Sequence, residues 1–266
     1  MPLLSGMVIA GLSIGHSAGV EKFDAGKFPG FVVDEVVVPV PSEIFSVLDK
    51  LGDPNWKEEL RKVKVPETSD RIELSLAFGT VVAEGFVAVQ AQDKQAVEEI
   101  GRDVITLSKS LGLSSSVIPH AQSILDAAKK NDWKAIRKEL DQTQATVRAT
   151  MERMRDGDLA QCVSLAGWLR GTASVTSVVS KAYTEDRAEL LNQPMLVEHF
   201  SKSISGMSKK AREHVIVTAL AKGLITIHKQ MDTPDGNISQ EHINAIKTVC
   251  EDLLKLILKD VKSKAK

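Results

Sequence analysis

The chain has 266 residues, enough for one large domain or two small ones. Hydrophobic residues make up 43% of it, too many for a disordered chain, and 34 basic side chains nearly cancel 35 acidic ones, which excludes a basic nucleic-acid footprint over the whole protein. Aromatics at 4% argue against a β-sandwich, and two cysteines exclude a disulfide scaffold or an all-cysteine zinc site.

From Met1 to Val20 there is no Asp, Glu, Lys or Arg, and Leu3, Leu4, Met7, Val8, Ile9, Leu12 and Ile14 form an apolar run that closes on Ser17, Ala18 and Gly19. That is the pattern of a secretory signal cleaved after Gly19, although no basic residue precedes the run. Two other readings of residues 1–19 stay open. Gly11, Gly15 and Gly19 sit four apart, the small-residue spacing of packed membrane helices, so the segment is also read as an anchor. A mature segment packed on the body is the third reading. Residues 20–41 are expected to form a short extended arm. FVVDEVVVPV is β-branched, and Pro39 and Pro41 confine it to an edge strand or an arm.

Helical signals then follow without interruption. Ser42 caps a short helix that Gly52 stops. Asp53 and Pro54 open a second, which carries Trp56 and Leu60 and ends at Pro66. The stretch from Arg71 to Gln92 is apolar nearly all round, so a central helix is expected there, and Glu73 and Glu84 argue against a bilayer span. Asp93 caps the next helix, closed by Gly112. A helix from Val117 to Lys130 carries Pro119 in its first turn, and a long amphipathic one follows Asn131 or Asp132. Leu159 to Lys181 reads as a second apolar helix, followed by shorter pieces interrupted at Pro194. Lys209 to Met231 reads as a third, and Ser239 caps a last helix running to about Lys262. Roughly ten helices and almost no strand predict a compact all-α body.

The sequence also suggests an internal duplication. Ser46-Val-Leu-Asp49 recurs as Ser123-Ile-Leu-Asp126, and the same offset of 77 brings Asn55-Trp56-Lys57 onto Asp132-Trp133-Lys134. Five of these twelve aligned positions are identical. Leu74–Ala77 then matches Val163–Ala166, and Ser108–Leu111 matches Ser201–Ile204, in order and with growing offsets. We read two helical units in pseudo-two-fold relation, residues 42–112 and 119–206, with residues 207–266 as a C-terminal helical pair packed on the same body. A unit with one very apolar helix cannot bury it alone, so two units are expected to pack those helices together.

Each apolar helix contains one awkward charge: Glu84 in VVAEGFVAV, Arg170 in AGWLRGTAS and Lys222 in TALAKGLIT. Lone buried charges are costly, so these three either pair, snorkel to solvent or line a ligand site between the units. Gly85, Gly171 and Gly223 follow them directly and would permit close helix approach. No metal site is expected, because no histidine pair has ligand spacing and no Glu-x-x-His motif occurs. Cys162 and Cys250 read as buried thiols, or as one disulfide if the chain is exported. Trp56 and Trp133 read as matching staples after helix caps, or as an exposed binding pair. No P-loop, dinucleotide fingerprint or haem motif is found, and no cofactor is expected.

These features favour a non-catalytic helical binding or scaffolding protein, exported to the periplasm or beyond if the leader is cleaved and cytoplasmic otherwise. The alternative is a small-ligand-binding protein or enzyme with its site between the units at Glu84, Arg170 and Lys222. The partner is then an unnamed protein or small ligand rather than nucleic acid. Peripheral membrane contact would run through the N-terminal segment or the C-terminal lysines, Lys255, Lys259, Lys262, Lys264 and Lys266.

Overall fold

The computed structural model describes residues 31–259, apart from residues 34–35, 39–40, 53 and 235. The leader, most of the arm and the last lysines therefore lie outside the described residues. Two three-residue strands, β1 (Phe31–Val33) and β2 (Val36–Val38), pair antiparallel with Phe31 opposite Val38. The stretch read as one strand or arm is thus a small hairpin. All else is helical: α1 (Pro41–Lys50), a 3₁₀ turn (Trp56–Glu59), α2 (Arg71–Gln90), α3 (Lys94–Leu111), α4 (Ser114–Lys129), α5 (Trp133–Arg153), α6 (Gly157–Lys181), α7 (Glu185–Glu189), α8 (Pro194–Gly206), α9 (Lys209–Arg212), α10 (Val215–Met231) and α11 (Gln240–Leu258).

The helix ends follow from local chemistry. Asp70 caps α2 by accepting from the backbone N–H groups of Ile72 (2.8 Å) and Glu73 (3.0 Å), and Asp93 caps α3 through Ala96 (3.0 Å). Gly112 ends α3 in the left-handed region at φ +75°. Leu113 N–H reaches Ser108 O at 2.8 Å and Gly112 N–H reaches Lys109 O at 3.2 Å, the two closures of a Schellman motif. Three boundaries differ from expectation. Helix α4 starts at Ser114, so Pro119 lies inside it rather than in its first turn. The third apolar helix starts at Val215, because the His214 side chain caps it and cuts off α9. Helix α11 stops at Leu258.

Helices α2 and α6 form the centre. They run parallel, since Gly79 meets Val163 early in both and Glu84 meets Arg170 later in both. At Gly79 a methyl group would collide with the Val163 carbonyl, so only glycine lets the two backbones come this close. Helix α2 also divides two apolar clusters. Leu76, Val87 and Val89 join the main core, whereas Leu74, Phe78 and Val81 join a smaller one with Leu107, Leu111, Val117 and Met151. That is why α2 is apolar all round. It is long and apolar enough to cross a membrane by length and composition, and it is buried in the body instead. Helices α10 and α11 form an antiparallel pair, with Leu253 seated on Gly223.

Candidate functional site

The stretch around Trp56 was expected to be helical and makes only one 3₁₀ turn. The cause is the charged pair predicted from the apolar helices. In an α-helix Arg61 N–H would bond the carbonyl of residue 57 and Glu59 O would accept from residue 63. Here Arg61 N–H donates to Glu84 Oε1 at 2.5 Å, and Glu59 O accepts from Arg170 Nη2 at 2.6 Å. Two buried side chains thus capture the backbone groups that a continuing helix needs.

Glu84 and Arg170 are 0% and 1% exposed, and Arg170 Nε donates to Glu84 Oε2 at 2.5 Å. Arg170 Nη1 also donates to the Ser174 hydroxyl one turn along α6. Glu84 therefore accepts from two donors, and Arg170 gives to three acceptors. Further ion pairs tie the same 3₁₀ turn down. Lys181 Nζ reaches Glu59 Oε1 (2.7 Å) and Glu58 Oε2 (3.2 Å), and these bonds hold the ammonium above its usual pKa. Arg61 reaches Glu251 of α11 at 3.3 Å. The cluster straps residues 56–61 across α2, α6 and α11. Each side-chain N and O atom of this buried pair has a hydrogen-bond partner within the body, and neither residue lines the apolar cleft between α2, α3, α4 and α5, so the pair holds structure.

Lys222, the third residue of the expected site, does not join the cluster. It is exposed on α10, on a polar stripe with Thr218, Thr226 and Lys229, while Leu220, Leu224 and Ile227 face inward. Of the glycines beside the three charges, only Gly223 is pressed, since a methyl group there would come within 2.5 Å of Leu253; one at Gly85 would make ordinary contact and Gly171 is open. The tightest approach, Gly79, has no neighbouring charge to mark it in the sequence.

Trp56 is buried, and Trp133 packs half-buried against the main core. Cys162 and Cys250 are buried free thiols. Burial pushes Cys162 up to about 12 and raises Cys250 too, which leaves both unreactive at neutral pH. No group of three or more His, Cys, Asp and Glu side chains that could hold a metal ion occurs among the described residues.

Two features were not visible in the sequence. His120 of α4 sits between Glu139 (2.6 Å) and Thr146 (3.0 Å) of α5, in the order of a carboxylate–imidazole–hydroxyl relay. Thr146 lies mid-helix, where the backbone N–H groups are committed to α5 itself, so none is aimed at a developing oxyanion. With the buried Ser116–Thr150 bond (2.6 Å) it forms a polar clip between the two helices. The second feature is an apolar cleft of about 70 Å³ between α2, α3, α4 and α5, lined by Val82, Val89, Ile100, Val104, Ala121 and Ile124 among others. No protein-family model, no curated protein and no solved structure matches this chain.

Proposed function

We propose that the chain is a non-catalytic helical binding or scaffolding protein. The observation that carries this reading is that every side-chain N and O atom of Glu84 and Arg170 is partnered within the body. The charges placed in the apolar centre are consumed in strapping residues 56–61 to the body. What the protein offers a partner is then its surface. The leader pattern of residues 1–19 supports export, which makes the working compartment periplasmic or extracellular.

The duplication belongs to the same proposal. The helices matched by Leu74–Ala77 and Val163–Ala166 are α2 and α6, the pair that packs face to face at the centre, as two copies of one unit would. The copies have diverged most around their tryptophans, one on a single 3₁₀ turn and the other opening a helix of 21 residues.

A second reading draws on the apolar cleft. It lies between α2–α3 of the first unit and α4–α5 of the second, so a small apolar ligand would sit between the units, away from Glu84, Arg170 and Lys222. Native mass spectrometry of the protein purified from its own host separates the two. A co-purifying polypeptide, with loss of 19 residues, is the expected result. A retained small molecule that leaves when Ala121 is changed to Phe would overturn it in favour of the cleft.

A further inference from the structure

Several cations around α1–α6 face a carboxylate. Arg137 pairs with Asp49 (3.0 Å), Arg71 with Asp156 (2.7 Å), and Lys181 with Glu58 and Glu59 (3.2 and 2.7 Å). In the layer made by α8, α9 and α10, Lys209 alone of the Lys and Arg side chains has an ion pair among the described residues. Residues 194–231 hold six Lys or Arg and two acids, Glu198 and Glu213, in a chain whose net charge is −1. Lys210, Arg212, Lys222 and Lys229 are all exposed, and none is ion-paired among the described residues. Helix α10 contains no Asp or Glu at all.

The same face carries two of the most exposed large aliphatic side chains described, Val215 at 70% and Ile225 at 69%. They are ten residues apart on α10, hence about 15 Å along its axis. Lys222 lies between them on the exposed side, and Lys229 lies one turn beyond Ile225. Thr218 Oγ1 donates to Arg212 O at 3.1 Å, which fixes the end of α9 beside this stripe. Exposed aliphatics set among unpaired lysines, on one helix lying flat on a body, match a bilayer interface. The lysines meet headgroup phosphates while the aliphatics reach the acyl boundary.

We infer that the outer face of α10, with Lys210 and Arg212 of α9, is a docking surface for anionic lipid bilayers. The inference goes beyond the binding-protein reading: it adds a lipid surface to the polypeptide partner expected there. It is independent of Lys262, Lys264 and Lys266, which follow Lys259 at the end of α11.

The test is flotation of the full chain with vesicles of phosphatidylcholine alone and of phosphatidylcholine mixed equally with phosphatidylglycerol. The chain is expected to float with the mixed vesicles only, and to float less as salt rises. Lys210→Glu, Lys222→Glu and Lys229→Glu together should lower partition by about a hundredfold or more. All three sites are exposed, so circular dichroism should stay unchanged. Ile225→Asp should also weaken partition, and removing residues 260–266 should leave most of it. Equal flotation with both vesicle types, no flotation, or a triple variant that floats like the parent would overturn the inference. A chain that binds poly-glutamate but does not float assigns the face to an acidic protein instead. These failures remove the lipid partner alone; the native mass spectra decide separately whether the chain is a binding protein.

Discussion

Glu84 and Arg170 on one side and Lys222 on the other stand in nearly the same local sequence, a charge followed by glycine inside an apolar run. The structure treats them oppositely. The first two meet at the centre of the α2–α6 seam with almost no exposure, and Lys222 points to solvent on α10. Whether a charge is buried was decided by what the neighbouring helix brings to it. Glu84 is met by a guanidinium and a free backbone N–H. Across from the inner face of α10, α11 brings Leu253, Leu254 and Ile257, so the lysine turns outward.

The largest effect expected from breaking this contrast is at the seam. Arg170→Met or Glu84→Leu leaves an unpaired buried charge and should cost about 3–5 kcal/mol in urea denaturation. The double variant should recover part of that loss. It would remain about 1–3 kcal/mol below the parent, because Arg61 N–H and Glu59 O still lack their partners. Single variants as stable as the parent would sink the strap as described. Next comes Gly79→Ala, where backbone rather than a flexible side chain opposes the methyl group; a loss of about 3 kcal/mol is expected from the forced separation of α2 and α6.

Removing the cap of α2 by Asp70→Ala should cost about 1 kcal/mol, read from the same transitions. At the surface, Lys259 donates to Glu73 at 2.8 Å and holds its carboxyl below the usual range. A depressed carboxyl contributes stability that is present above its unfolded pKa and is lost as pH falls through its folded one. The transition midpoint should therefore drop on acidification below the usual glutamate range, and less so in Lys259→Met. Smallest of all should be Lys222→Met, within about 0.5 kcal/mol of the parent. A seam-sized loss there would erase the distinction between the two kinds of charge.

Much of the helical layout was legible because caps and stops are local. Asp93, Ser239 and Gly112 act through groups within a few residues, and each did what its position implied. The central place of α2 was legible from its lack of a polar face. The exposure of Lys222 was not read from the sequence, which grouped it with Glu84 and Arg170, although Thr218, Thr226 and Lys229 sit at helical spacing from it. The lost helix at Trp56 was not legible. It depends on Arg170, 111 residues from Glu59, competing for a carbonyl. The His120 clip failed for the same reason, as its partners lie 19 and 26 residues away on another helix.

The parallel seating of α2 on α6 also has a consequence for biosynthesis. Arg170 follows Gln90, the end of α2, by 80 residues, so at ~5–20 residues per second the ribosome finishes α2 about 4 to 16 seconds before its counter-ion exists. During that interval a helix with the length and composition of a membrane span has neither its glycine seat nor its guanidinium. Nascent chains stalled before residue 157 should need a holding chaperone or an insertase to stay unaggregated, and chains stalled after α6 has cleared the exit tunnel should not. Ribosome-bound chains of the two lengths, compared by sedimentation with and without such factors, would show the same behaviour at both lengths if α2 protects itself.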